Sequence, residues 1–469
     1  MRSLRRLAVL IPTSLMLVAC ADAPTNVDDH VNAVVKAEME RQKIPGVAIT
    51  VVRQGKPVKV AGYGFSNLEH GVRVVPATVF QSGSLGKEFT AVAVMLQVED
   101  GHLSLDDPIT RFFPDAPASW RSITVRHLLT HTSGIPEYAT ESMDYRKDWT
   151  EAELVHFAYG LPVEFPAGAR WGYSDTGYLL LGIIIGKVSG HFYGDELKKR
   201  VFEPLGMKSA RVISEEDIVP NRAAGYRLVH GELKNQEWVA PKLNTTADGS
   251  LYLSAEDWKT WEVAIRSRAI LKASSWAQML TPVRLNSGKT YPYGFGRFLP
   301  DGSSPPRESH EGLWQGFTTA YANYLKEDLI VVALCNSADA EPMRIVEAVA
   351  GAYVPSLAPS PPTAIADTHP EASTKVRALL EKTAAGNLHA SDFEYFRADF
   401  FPAVAARYQK LLQDAGAPTR LELLERLELG DDRMFKYRVF VGDTAFIVKV
   451  AIAPSGLLTA FKLEREPPP

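Results

Sequence analysis

Apolar residues recur at helical spacing over residues 31–41, and the pattern then changes. In GVAITVVRQGKPVKVAGYG (46–64) two apolar runs meet at Gln54-Gly55, which predicts two strands joined by a hairpin. A helix is predicted from Ser84 to about Asp100: FTAVAVML is apolar nearly all round, as in a buried helix, and Gly101 stops it. Residues 107–206 read as helices interrupted by proline-rich turns. Strand-like segments return at YPYGFGRFLP (291–300), GFTTAYANYL (316–325) and DLIVVALCNS (328–337), and PMRIVEAVAGAYV (342–354) reads as a closing helix. Strands from both ends and helices from the middle predict an α+β fold with an inserted helical subdomain.

The proline-rich stretch 356–372 predicts a linker. Beyond it, TKVRALLEKTAAG and FPAVAARYQKLLQDAG are amphipathic helices, and four alternating segments from 419 to 466 predict a meander with a turn at Pro454-Ser455-Gly456. Residues 373–469 are therefore expected to form a small α+β domain of their own, with no cluster of catalytic residue types.

Composition narrows the class. The 469 residues are 46% hydrophobic and 23% charged, with net charge −4 and no basic run, which argues against nucleic-acid binding. The N-terminus has a different logic. Arg2, Arg5 and Arg6 precede a short apolar run ending at Leu17-Val18-Ala19-Cys20, a signal peptide over residues 1–20. Its end resembles a bacterial lipobox, which implies lipidation of Cys20, a tether over 21–30, and a lipid-anchored protein of the bacterial envelope, outer membrane rather than inner, facing the periplasm. The other cysteine, Cys335, sits in LIVVALCN and reads as a buried strand residue.

Candidate chemistry begins at Ser84 and Lys87. Residues three apart share a helix face, so the amine reaches the hydroxyl. A lysine in the first turn of a buried helix opposes the helix dipole and is desolvated; both effects lower its pKa and favour a neutral base. The alternative is a capping serine beside a solvated lysine. Two further pieces are Tyr173-Ser174-Asp175, between a turn and an apolar helix, and His310-Glu311-Gly312, ahead of a strand. Taken singly, the tyrosine reads as a packing residue and the histidine as a structural one.

In this order the three pieces resemble the penicillin-recognising serine hydrolases: Ser-x-x-Lys, then Tyr-x-Asn, then a basic residue with x-Gly. The resemblance is to the family of class C β-lactamases, DD-peptidases and related esterases, and HLLTHTSGIP (127–136), FEPLGMKSA (202–210) and GSLYLSAEDW (249–258) extend it over most of residues 31–355. It implies an antiparallel sheet flanked by helices. It implies Ser84 as acylated nucleophile, Lys87 and Tyr173 as the proton-transfer network with the phenol as general base, and His310 in place of the family's lysine. The backbone N–H groups of Ser84 and Leu313 would form the oxyanion hole, each worth roughly 3 kcal/mol. Asp175 and Gly312 would bind substrate. Asp175 departs from the family's asparagine, since a carboxylate only accepts hydrogen bonds.

The resemblance implies a serine hydrolase acting through an acyl-enzyme on esters, amides or D-amino-acid peptides, without metal or organic cofactor. The partners expected are a small-molecule or peptide substrate and the membrane, not nucleic acid. The rival readings are a true β-lactamase and a binding protein that has lost catalysis. His127 and His131 stand four residues apart, but no glutamate completes a zinc motif, and both read as structural.

Overall fold

The computed structural model describes residues 26–138, 143–212, 217–396, 400–416, 418–442 and 444–466. The expected signal peptide and Cys20 lie outside the described residues. The core is a six-stranded antiparallel sheet in the spatial order Arg307–Trp314, Phe317–Tyr324, Leu329–Cys335, Gly46–Arg53, Lys56–Asn67, Val72–Arg73. Early and late chain meet at its centre, where Val47 pairs with Cys335 and Arg53 with Leu329.

The central strands are apolar throughout because both sheet faces are covered. Successive side chains point to opposite faces. Val47, Ile49 and Val51, with Leu329, Val331, Ala333 and Cys335, pack under the helices Val27–Gln42 and Pro342–Tyr353. Ala48, Val52, Ile330, Val332 and Leu334 face a larger core of the helical middle region. Cys335 is fully buried and free.

The helix Lys87–Glu99 runs through that larger core, and residues 87–97 are all buried. A 3-10 turn, Gly83–Gly86, leads into it, so Ser84 lies one turn ahead of the α-helix rather than at its cap.

One expected strand is absent. Residues 291–300 hold only the end of the short strand Thr290–Tyr291 and isolated bridges from Phe298 to Tyr293 and to Ser309, because Pro292, Gly294 and Gly296 interrupt any ladder. The strand lies later, at Arg307–Trp314, with His310 in its middle instead of ahead of it.

The C-terminal unit packs helices Pro370–Ala384 and Ala405–Ala415 on a four-stranded antiparallel meander around its own core. It docks on two segments of the larger unit: the Gly430 N–H donates to the Thr290 carbonyl at 3.1 Å, and a second set of contacts falls on residues 164–172. Arg170 bonds Asp432 at 2.8 Å and Glu394 at 2.6 Å. The Tyr395 hydroxyl donates to Glu164 at 3.0 Å, and its ring lies edge-on to Phe165. The docked segment, 164–172, leads directly into Tyr173.

Candidate active site

The turn carrying Ser84 is held by backbone packed on backbone. Gly83 has φ +50°, and a Cβ there would stand 2.5 Å from the Leu313 nitrogen. A Cβ on Gly312 would meet the Ser82 carbonyl at 2.2 Å and the Ser84 nitrogen at 2.9 Å. Only glycine lets the strand Arg307–Trp314 close on the turn. Thr319 locks the contact by donating to the Ser82 carbonyl at 2.6 Å.

Lys87 is wholly buried, and its three N–H bonds are all used. Nζ donates to Ser84 Oγ at 2.9 Å, pairs with Asp175 Oδ1 at 2.5 Å, and donates to the Asp248 carbonyl. Burial pushes its pKa down, but Asp175, Tyr173 and Asp248 outweigh burial and hold it well above the ordinary value. This corrects the expectation of a neutral lysine. The local helix argument saw dipole and desolvation, but not the carboxylate that the fold brings in from the start of another helix.

Tyr173 precedes the helix Asp175–Ser189, whose first turn Ser174 caps. Its hydroxyl is within hydrogen-bonding reach of both Lys87 and Ser84. Burial raises its pKa, and Lys87 offsets part of the rise. Its ring lies on the His131 ring with centroids 4.3 Å apart.

Under Tyr173 runs a buried hydrogen-bond array. The Ser174 N–H donates to His131 Nδ1 at 3.1 Å, so His131, neutral through burial, carries its proton on Nε2. That nitrogen lies 3.2 Å from the Tyr293 hydroxyl, which lies 3.2 Å from His310 Nε2. His310 Nδ1 donates to the Glu311 carbonyl at 2.7 Å. Each donor meets one acceptor from end to end. Burial, and then Lys87, lowers the His310 pKa to about 3, so the ring is neutral at physiological pH.

Ser84, Lys87, Tyr173, Asp175, His310, Gly312 and Leu313 thus come together at one cleft. The cleft is narrow, with a volume of about 20 Å³, and is lined by Ser84, Asp175, Thr246, Asp248, Leu313 and Trp314 among others. His127 stays apart, capping its own helix through Thr124. No group of three or more candidate metal ligands occurs among the described residues.

Four site residues escaped the sequence reasoning. Asp248 lies one position ahead of GSLYLSAEDW. Tyr293 and Arg297 lie in a loop mistaken for a strand. Glu88 directly follows Lys87. Arg297 is buried against Glu88 and Glu308, the latter at 2.8 Å. The triad ties the Lys87 helix to the strand that bears His310.

Comparison with known proteins gives a consistent frame. The family model described as Beta-lactamase matches residues 31–355. Penicillin-binding protein 4* of Bacillus subtilis is 31% identical over 291 residues, 58% of this chain and 64% of that protein, so the match spans just under two thirds of that relative. A D-aminopeptidase of Gluconobacter oxydans is 26% identical over 373 residues, 76% of this chain and 69% of its own. Among solved structures, the D-amino acid amidase of Ochrobactrum anthropi SV3 complexed with D-phenylalanine aligns with TM-score 0.62 at 26% identity, covering 70% of this chain and 99% of that one. An octameric penicillin-binding protein homologue from Pyrococcus abyssi covers 93% of this chain and 96% of its own, at TM-score 0.61; at 24% identity it is a likeness of fold alone.

Proposed function

The chain belongs to the beta-lactamase family over residues 31–355, and from that premise we propose that it is a serine hydrolase working through an acyl-enzyme on Ser84. Its substrates on this reading are esters, amides or D-amino-acid peptides. The observation that carries the proposal is the 2.9 Å contact from Lys87 Nζ to Ser84 Oγ, with the Tyr173 hydroxyl close enough to both to feel them.

Because Lys87 is charged, it serves as a fixed donor to Ser84 Oγ and not as the proton acceptor. Ser84 Oγ attacks the acyl carbon and passes its proton to Tyr173 Oη while the Tyr173 proton moves to the leaving group. The Oγ–C bond forms and the bond to the leaving group breaks; water reverses the sequence to release the acid. The N–H groups of Ser84 and Leu313 receive the oxyanion. His310 acts as a neutral neighbour of Tyr173, their rings 6.0 Å apart.

β-Lactams fit this cleft poorly. Their carboxylate calls for a cation, and Lys87 is the only cation at the Ser84 cleft among the described residues, with all its donors engaged. The cell envelope is the proposed location, with Cys20 as lipid anchor. No helix among the described residues is long and apolar enough to cross a membrane.

A fluorophosphonate should add once, on the peptide containing Ser84, and Ser84→Ala should abolish hydrolysis of short-chain aryl esters, D-amino-acid amides and D-peptides. Adduct on another serine, or activity retained in Ser84→Ala, overturns the reading. A cephalosporin turned over faster than every ester, amide and peptide would replace it with the β-lactamase reading.

A further inference from the structure

The large sheet has two unlike edges. Arg307–Trp314 forms one and borders the Ser84 cleft; Val72–Arg73 forms the other. The chemistry proposed above gives the second edge no task, and its surface is unusual. Leu68, Val72 and Val75 lie in one short stretch and are 39%, 50% and 46% exposed. Exposed apolar side chains scattered singly mean little, but a group of them at a sheet edge invites a partner. Beside them a groove of about 480 Å³ opens between the helix Val27–Gln42 and the strand Lys56–Asn67. Met39, Tyr63 and Val74 line it with apolar surface, Lys36 and Arg73 add two positive charges, and no carboxylate lines it. Neither cation makes an ion pair among the described residues; Arg73 only lies over the Phe65 ring, 4.1 Å from its centroid.

Two arguments identify the partner. The first is chemical. Cations without counter-ions, next to exposed aliphatic side chains, match a surface that is anionic outside and apolar just beneath. A bilayer containing anionic phospholipid has that layering. The second is positional. The helix Val27–Gln42 lies along the strand Lys56–Asn67: Asp28 pairs with Lys59 at 2.9 Å, the Tyr63 hydroxyl donates to Asn32 at 2.9 Å, and a Cβ on Gly64 would meet the Met39 methyl at 2.7 Å. The chain therefore enters the fold on this side of the sheet. Cys20 lies seven positions before Val27, a span of at most about 25 Å. An anchor there holds this edge, not the opposite one, close to the bilayer.

We propose that the edge carrying Leu68, Val72 and Val75 rests on the membrane, with the headgroup of an anionic phospholipid received between Lys36 and Arg73. The Ser84 cleft then opens away from the bilayer. Five strand-to-strand steps separate Val72–Arg73 from Arg307–Trp314, a distance of about 24 Å. Substrates accordingly reach Ser84 from the aqueous space beyond the headgroup layer, and membrane lipids do not reach it.

This inference rests on the envelope location proposed above, and its test lets the two fail separately. A hexahistidine tag in place of Cys20 holds the protein on nickel-chelating vesicles of phosphatidylcholine and phosphatidylglycerol, so lipidation is not needed. Cys335 is fully buried, so a cysteine introduced by Val72→Cys or Leu313→Cys takes a donor dye selectively. Energy transfer to an acceptor on the vesicle surface should be far stronger from position 72 than from position 313. Equal transfer, or stronger transfer from position 313, overturns the orientation. Untethered protein should sediment with these vesicles and not with pure phosphatidylcholine. Lys36→Glu combined with Arg73→Glu should lower that partitioning about 25-fold, the effect of two basic residues at an anionic surface. Wild type indifferent to vesicle charge, or a double variant that partitions as well as wild type, overturns the headgroup site. Unchanged fractionation of Cys20→Ser in cells counts against the lipid anchor alone and leaves both vesicle measurements standing.

Discussion

Replacing Arg297 by methionine should cost the larger unit roughly 3–5 kcal/mol at pH 8, and clearly less at pH 5.5. Arg297 is 4% exposed; it donates to Glu308 at 2.8 Å, to the Tyr321 hydroxyl at 3.1 Å, and to Glu88. Methionine fills most of the space of the aliphatic stem, so packing loss is small and the main loss is the cation. Two carboxylates are then buried without it. Burial already raises the Glu88 pKa, and Arg297 is the largest influence holding it down. Glu262, 1% exposed, is raised by burial and by Glu88, and Arg297 restrains it too.

Without the guanidinium, the folded variant binds protons that the unfolded chain has released. Stability therefore falls as pH rises from the unfolded glutamate pKa of ~4.3 through the raised folded values, by up to about 1.4 kcal/mol per pH unit for each group. Urea unfolding followed by tryptophan fluorescence measures this cleanly. All eight tryptophans lie between residues 120 and 314, so the signal reports on the larger unit alone. Trp261 donates to Glu88 itself at 3.3 Å. A variant within about 1 kcal/mol of wild type at pH 8, or one losing the same amount at both pH values, refutes the reasoning.

Lys87→Ala and Tyr173→Phe should each lower kcat by orders of magnitude, and the double variant should fall little further, because both act on one proton path; additive losses count against the pairing. Arg170→Ala frees the segment leading to Tyr173 from Asp432 and Glu394 and should lower kcat about tenfold with little change in the fluorescence-detected midpoint; unchanged kcat means the dock does not position Tyr173. Cys20→Ser should move the protein from the membrane to the soluble fraction, since the several acyl chains of a lipoprotein anchor firmly; unchanged fractionation argues against lipidation.

What could be read from the sequence was mostly local. Ser84 and Lys87 were legible because i and i+3 share a helix face, and the apolar runs of 46–53 and 329–335 announced strands. The strand bearing His310 was not legible. RESHEGLW carries Arg307, Glu308 and Glu311, and period-two counting cannot know that Arg297 neutralises Glu308. The charge state of Lys87 was misread for the same reason. Its counter-ion lies 88 positions on in the chain, a separation no local pattern encodes.

The hydrogen-bond array from Ser174 to Glu311 has peptide groups at both terminals: an N–H that only gives and a C=O that only takes. It has polarity but no outlet. A proton delivered to His310 would have to displace the Tyr293 bond and could leave at neither end, so the floor under Tyr173 behaves as an insulator. The two imidazoles are frozen dipoles, each confined to one tautomer. Proton traffic is thereby kept to the layer of Ser84, Tyr173 and Lys87, and the pH range in which ordinary histidines titrate passes without altering the field that this floor presents to them.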